Sequence, residues 1–472
     1  MDLAISSRQN NVGLQTNAGK AVHMERDLKL EISNRQILNM ALPISFAILV
    51  PQFNYLINSI FLAQLGEGFV GASGVTGVYY LIFSVVGFGL NNGLQALISR
   101  RAGQDRLQEI GQLFTQSVYL ILAIAGIGIL ITYGLAPFIF KRFTDPILHD
   151  QTMGFLHIRI WGLPFLYLYQ MRNALLVGTN QSQLLVWGTL SETLTNVILD
   201  YALIFGKLGL PALGFNGAAY ASVIAECVGM AVVFLIIRTK GMGNRFGLFN
   251  QLAINTKTMS TVLVQSSPLI LQYAISIISW EFFFILISHD GRMALDISQL
   301  MRLVFGFCGI FIWAFAGTTN TMVSNIIGQG SQDKVLLLIR KVITLSLGSS
   351  LIIVIPLLTM PGTILSIYDA DPEFLAMGVP VLRIVGVSIL LMSISTVCLN
   401  AVTGTGNTRI NLLIEFITII LYCIYIYIVM HELNLSLTWG WASEWLYWSA
   451  ILIMSAVYLL SGKWNNEKSR SV

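Results

Sequence analysis

The chain has 472 residues, 55% of them hydrophobic and only 11% charged, with a net charge of +4 and a mean hydropathy of +0.73. A soluble domain averages roughly 25% charged residues, so the composition excludes that class and indicates a polytopic membrane protein. The positive balance is accounted for by membrane topology, and no nucleic-acid partner is expected.

Residues 1–36 are polar, hold no apolar core of signal-peptide type, and read as a cytoplasmic tail entering the membrane through the amphipathic stretch DLKLEISNRQIL. About 20 apolar residues cross a bilayer as a helix. Twelve such segments follow, near 37–62, 68–98, 113–139, 156–178, 183–206, 214–238, 260–288, 294–327, 337–360, 376–403, 409–430 and 438–461. Strand-period alternation is absent, which argues against a β-barrel. The polar, basic stretch 239–259 reads as a cytoplasmic linker between a lobe at 37–238 and a second at 260–461, and residues 462–472 read as a cytoplasmic C-terminal tail. With both termini inside, 19 of the 27 Lys and Arg residues are cytoplasmic, as the positive-inside rule requires. The four cysteines all fall within spans, at spacings that fit neither a zinc site nor a disulfide framework.

The two halves repeat. Pro43 matches Pro268. Ser99, Gly103 and Gln104 in SRRAGQ match Ser324, Gly328 and Gln329 in SNIIGQ. Arg159-Ile-Trp-Gly162 matches Arg383-Ile-Val-Gly386, and Gly178-Thr179 matches Gly404-Thr405. The offsets run from 224 to 226 and keep their order. The expected fold is therefore all-α, with 12 transmembrane helices in two pseudo-symmetric six-helix bundles. Paired lobes of this kind are a common transporter plan.

An ionisable side chain in a span is costly, about 2.5–3.5 kcal/mol for Asp at a helix centre, so each one calls for a partner or a function. Glu192, Asn196 and Asp200 recur every fourth residue and share one helix face over about 12 Å. Such a stripe faces protein or water. A carboxyl there either takes up a proton or keeps its charge among neutral oxygen donors such as Asn196. The other reading is a stripe that only hydrogen-bonds neighbouring helices. Glu226 lies mid-span where it can face Glu192 or Arg172, in a structural pair or a functional one. Glu415 and Glu444 read as interfacial.

Pro43 and Pro268 each remove a backbone hydrogen bond and are candidate points of helix bending, or else static kinks. Aromatic faces attract organic cations. Tyr55, Tyr273, Trp280, Phe284 and Arg172 are the candidates for a substrate cavity, although aromatic residues also pack against lipid. Trp441, Trp445, Tyr447 and Trp448 read as an interfacial belt.

Three stretches carry a family resemblance: WGLPFLYLYQMRNALLVGTNQSQ (161–183), NVILDYALIFGKLGLPALGFNGAAYAS (196–222) and QALISRRAGQ (95–104). With the 6+6 repeat, the chain resembles the multidrug and toxic compound extrusion family over about residues 35–460. The resemblance implies a secondary antiporter exporting small amphiphilic or cationic compounds in exchange for H⁺ or Na⁺; a monomer with no other cofactor is expected, and the sequence shows no HExxH, nucleophile-elbow or Walker motif of an enzyme. It implies that Asn196 and Asp200 match a cation-site motif of the first lobe, and that Glu281 resembles an acid used for coupling in the second. Many members carry Asp in the first span where this chain has Asn58, which cannot take up a proton. Flippases for lipid-linked oligosaccharides share the repeat and are the alternative. They would favour a basic cavity, for which Arg172, Arg302, Arg159 and Arg383 are the available residues.

Overall fold

The computed structural model describes residues 28–143 and 146–465, so most of the two expected tails lies outside the described residues. All secondary structure among the described residues is helical. The first lobe holds α1 (Asn34–Ala63), α2 (Glu67–Gly103), α3 (Leu107–Phe143), α4 (Pro146–Arg159), α5 (Leu163–Gly178), α6 (Leu185–Phe205) and α7 (Phe215–Thr239). The second holds α8 (Thr256–Ser288), α9 (Arg292–Gly328), α10 (Val335–Thr359), α11 (Pro372–Gly404), α12 (Thr408–Ile426) and α13 (Ser443–Leu460). Each lobe opens on a capped helix. The Ser33 hydroxyl accepts the Gln36 N–H at 3.1 Å, and the Asn255 side chain accepts the Thr258 N–H at 3.1 Å.

Among the described residues, ten helices are long and apolar enough to cross a membrane. The other two expected crossings have local reasons for falling short. The fourth is split into α4 and α5 by a 3₁₀ turn at Ile160–Gly162, and the fifth, α6, carries the polar stripe.

The repeat is written into the seam between α2 and α9. Ser99 Oγ donates to Thr321 O at 2.8 Å, and Ser324 Oγ donates to Ala96 O at 2.7 Å. Gln95 Nε2 donates to Gly317 O at 3.0 Å, and Asn320 Nδ2 donates to Asn92 O at 3.1 Å. Each bond maps onto its partner by adding 225 to one residue number and subtracting it from the other, which is what a two-fold axis through the seam requires. The glycines obey the same rule. A Cβ on Gly103 would lie 2.3 Å from Asn325 O, and one on Gly328 would lie 2.3 Å from Arg100 O. Only glycine permits backbones to meet at this distance.

Packing locates the cleft. One apolar core runs from Leu94, Ile98 and Leu176 of the first lobe into Met322, Ile326 and Val402 of the second, toward the helix ends that carry Arg100 and Arg409. Away from that basic end the core divides. Leu62, Phe155 and Phe215 cluster in the first lobe, while Phe283, Phe305 and Trp441 cluster in the second.

Two segments expected to be cytoplasmic connections are tied down. Leu28 and Leu30 are buried at the seam. Leu30 N–H donates to Asn325 Oδ1 at 3.0 Å, Asn325 Nδ2 to Leu28 O at 3.0 Å, and Gln329 Nε2 to Leu30 O at 3.1 Å. The segment entering α1 thus straps the first lobe to the second. The linker also docks: Phe246 is fully buried, and Gln116 of α3 holds both Ala253 O, at 2.8 Å, and the Asn255 N–H, at 3.0 Å. The four cysteines are free; Cys308 and Cys398 are buried, but Cys227 and Cys423 are only partly so.

Candidate cation and substrate sites

In the first lobe, Asn196 and Asp200 are both buried inside the bundle, Asp200 completely. The Asn196 amide satisfies its surroundings with its nitrogen turned toward the carboxylate. It then donates to Asp200 Oδ2 at 3.0 Å or Asn54 Oδ1 at 2.9 Å, and its oxygen accepts the Ser222 N–H at 3.2 Å. Asn54, on α1, was missed in the sequence although it stands one turn before Asn58 on the same face. α1 and α6 are odd-numbered crossings and run parallel, with Asn54 beside Asn196. Asp200 Oδ1 and Asn58 Oδ1 are both buried without a hydrogen-bond partner. A buried carboxylate oxygen without a partner is an open acceptor that calls for a ligand or a proton.

The rest of the stripe differs. Of the two neighbours expected for Glu226, Glu192 lies within electrostatic reach, but the ion-pair partner is a third residue and not Arg172. Arg159 grips Glu226 in a bidentate pair, Nη1–Oε2 at 3.0 Å and Nη2–Oε1 at 2.6 Å, with the guanidinium 3.9 Å above the Tyr80 ring. Gly162 makes room, since a Cβ there would lie 2.2 Å from Glu226 Oε2. Glu192 is partly buried and packs on Gly229, one turn from Glu226 on α7.

In the second lobe, Glu281 and Arg302 form a half-exposed pair at 3.3 Å, and the Arg302 guanidinium lies 5.2 Å from the Phe284 ring centroid. Glu415, read as interfacial, is instead fully enclosed. Ser276 Oγ lies 2.6 Å from Oε1, Gln272 Nε2 donates to Oε2 at 3.5 Å, and the Tyr447 hydroxyl reaches Oε1. Glu444 is likewise buried, held by Trp448 Nε1 at 3.0 Å and Tyr422 OH at 3.5 Å. Hydropathy gives depth along a span but not whether a side chain faces lipid or protein, and both acids face protein.

The cavity candidates separate. Tyr55 is 71% exposed, and Tyr273 accepts from Asn92 Nδ2 across the seam at 2.7 Å. Phe284 is buried, and with Trp280 it belongs to the aromatic core built on Phe305 and Trp441; it does not form an open wall. Trp441 is fully buried, donates to Ser298 Oγ at 3.1 Å, and so is no belt residue. Arg172 is not in the cleft either. It donates to Met230 O and lines a groove of about 530 Å³ with Phe114, Phe234 and Arg238, between α3, α5, α7 and the linker. Pro43 and Pro268 both lie inside helices that continue through them.

The fold and its paired lobes define a membrane transporter. The family model MatE matches twice, at residues 43–202 and 268–428, each match starting on one of the two paired prolines. Among known proteins, the chain is 23% identical over 408 residues to a probable multidrug resistance protein NorM from Synechocystis, covering 82% of this chain and 85% of that one. It is 22% identical to the multidrug resistance protein MdtK of Edwardsiella ictaluri, over 81% of this chain and 84% of the relative. A MATE transporter structure from Vibrio cholerae superposes with a TM-score of 0.83 at 19% identity, over 94% of this chain and 99% of that one. A MATE family transporter solved in an outward-facing conformation matches at 0.84 and 15% identity, over 95% and 98%. At such identities these structures speak for the fold. The chain belongs to the multidrug and toxic compound extrusion family of transporters and is not an enzyme.

Proposed function

We propose that the chain is a secondary antiporter that exports small amphiphilic or cationic compounds in exchange for H⁺ or Na⁺ by alternating access. The observation that carries this reading is the Asp200 site: a fully buried carboxylate beside neutral amides, with one oxygen left unpartnered. A bound cation stabilises one orientation of the cleft, and substrate binding in the other promotes its release, each through differential affinity for the two states. The seam closed at the basic end corresponds to a cleft open to the outside of a cell membrane (the inner membrane in a bacterium), with both termini cytoplasmic. Each lobe encloses its own acids within one chain, which supports a working monomer. The flippase alternative loses ground because Arg159 is held by Glu226, Arg302 by Glu281, and Arg172 lies outside the cleft.

The test is dye efflux from proteoliposomes under an imposed proton or sodium gradient. Export should require one of the two gradients and be lost in Asp200→Asn. Equal export without either gradient overturns the reading.

A further inference from the structure

We propose that Glu415 is a second, separate ion site, and that its ligand is a proton. The carboxyl is 1% exposed and, among the described residues, forms no salt bridge. Every neighbour that touches it is a neutral polar group. Ser276 and Gln272 reach it from α8, and Tyr447 reaches it from α13. The titratable groups facing it are Tyr273 on α8 and Tyr447, with Glu444 behind Tyr447 through Tyr422.

The Ser276 hydroxyl decides between a bare carboxylate and a protonated carboxyl. It lies 2.9 Å from the Gln272 carbonyl and 2.6 Å from Glu415 Oε1, and both are acceptors when the carboxyl is ionised. A hydroxyl has one proton and can donate to only one of them. Both contacts are satisfied together when Glu415 carries the proton: the carboxyl donates to Ser276 Oγ, and Ser276 donates to the carbonyl. A metal cation fits poorly, because the Tyr447 hydroxyl proton and the Gln272 amide proton point at the carboxyl. The Gln272 oxygen that could ligate a cation instead accepts from Asn411.

The site is placed to report on the lobes. α8 holds Glu415 through Gln272 and Ser276. The same stretch of α8 meets α2 of the first lobe, where a Cβ on Gly89 would lie 2.4 Å from Ile270 and one on Gly93 would lie 2.2 Å from Ser266 Oγ. The neighbouring Tyr273 takes the Asn92 hydrogen bond across the seam. Loss of the proton pulls the Ser276 hydroxyl off the helix carbonyl in the segment that abuts the first lobe. The proton site stands on geometry alone; its part in transport rests on the antiport reading above.

Infrared difference spectra of the full chain in lipid, taken between acidic and alkaline buffer, test the two apart. Wild type minus Glu415→Gln should contain one protonated-carboxyl C=O band. Ser276→Ala keeps the acid but removes the acceptor of its proton, and should shift that band to higher frequency. If Glu415→Gln does not fold, the Ser276→Ala shift decides. A wild-type spectrum with only a carboxylate band at this position, or a band untouched by both substitutions, overturns the proposal whatever efflux shows. Conversely, absent gradient-driven efflux with the band present overturns the antiport reading and leaves the proton site standing.

Discussion

Alternating access demands that the seam at the basic end open, and Gly103 and Gly328 give a way to force it. A methyl at either position would sit 2.3 Å from a backbone oxygen of the opposite lobe, about 1 Å inside an ordinary contact distance. Backbone stands on both sides, so neither partner can rotate away, and relief comes only by parting the lobes. Overpacking of this kind costs about 1–3 kcal/mol. Applied at two related points, for a total of about 2–6 kcal/mol, it shifts the balance from the closed seam by about 30- to 20,000-fold, at 1.4 kcal/mol per factor of ten. The assay uses Ser99→Cys in a background lacking the four native cysteines, since Ser99 is fully buried at the seam and bonded to Thr321 O. In Gly103→Ala, Gly328→Ala, a membrane-impermeant maleimide added from the basic side should label the introduced thiol at least tenfold faster. Gly126→Ala is the control, because a Cβ there meets nothing within 4 Å. Labelling and transport unchanged in the double variant would refute the claim that this seam separates during transport.

Asp200→Asn keeps the shape of the first-lobe site, so its thermal stability should stay within about 1 kcal/mol of wild type while gradient-driven efflux from proteoliposomes collapses. Glu226→Ala leaves the Arg159 guanidinium buried and unpaired, and should cost about 3–5 kcal/mol in a detergent unfolding assay. The double variant Arg159→Met, Glu226→Met should regain most of that loss, which marks the pair as structural. Glu281→Gln breaks a half-exposed pair worth at most about 1 kcal/mol, so its stability should hold while the cation dependence of efflux changes. An unaltered dependence would remove Glu281 from the coupling machinery.

The scaffold was legible because membrane helices obey few rules. Length and apolarity located the crossings, and four short matches at a near-constant offset located the axis between the lobes. The polar stripe on α6 was legible because helical periodicity puts Asn196 and Asp200 on one face. The partners of the acids were not. Arg159 meets Glu226 only because the fourth crossing breaks at Ile160–Gly162 and turns its guanidinium inward, a feature of tertiary packing across 67 positions. Glu415 and Trp441 looked interfacial because position along a span says nothing about which side of the helix meets protein.

The repeat also explains why its two halves hold different chemistry. The seam keeps its two-fold pattern at Ser99 and Ser324 and at Gly103 and Gly328, where each position meets the backbone of the opposite lobe. Side chains inside a lobe face no such partner. On the equivalent helices α6 and α12, the offset of 226 set by Gly178 and Gly404 places Ile426 opposite Asp200 and Thr189 opposite Glu415. The acids on these two equivalent helices therefore lie at different depths, Asp200 toward the open end of the cleft and Glu415 toward the closed end. On the antiport reading proposed above, two acids at different depths are wetted at different points of one opening and closing motion.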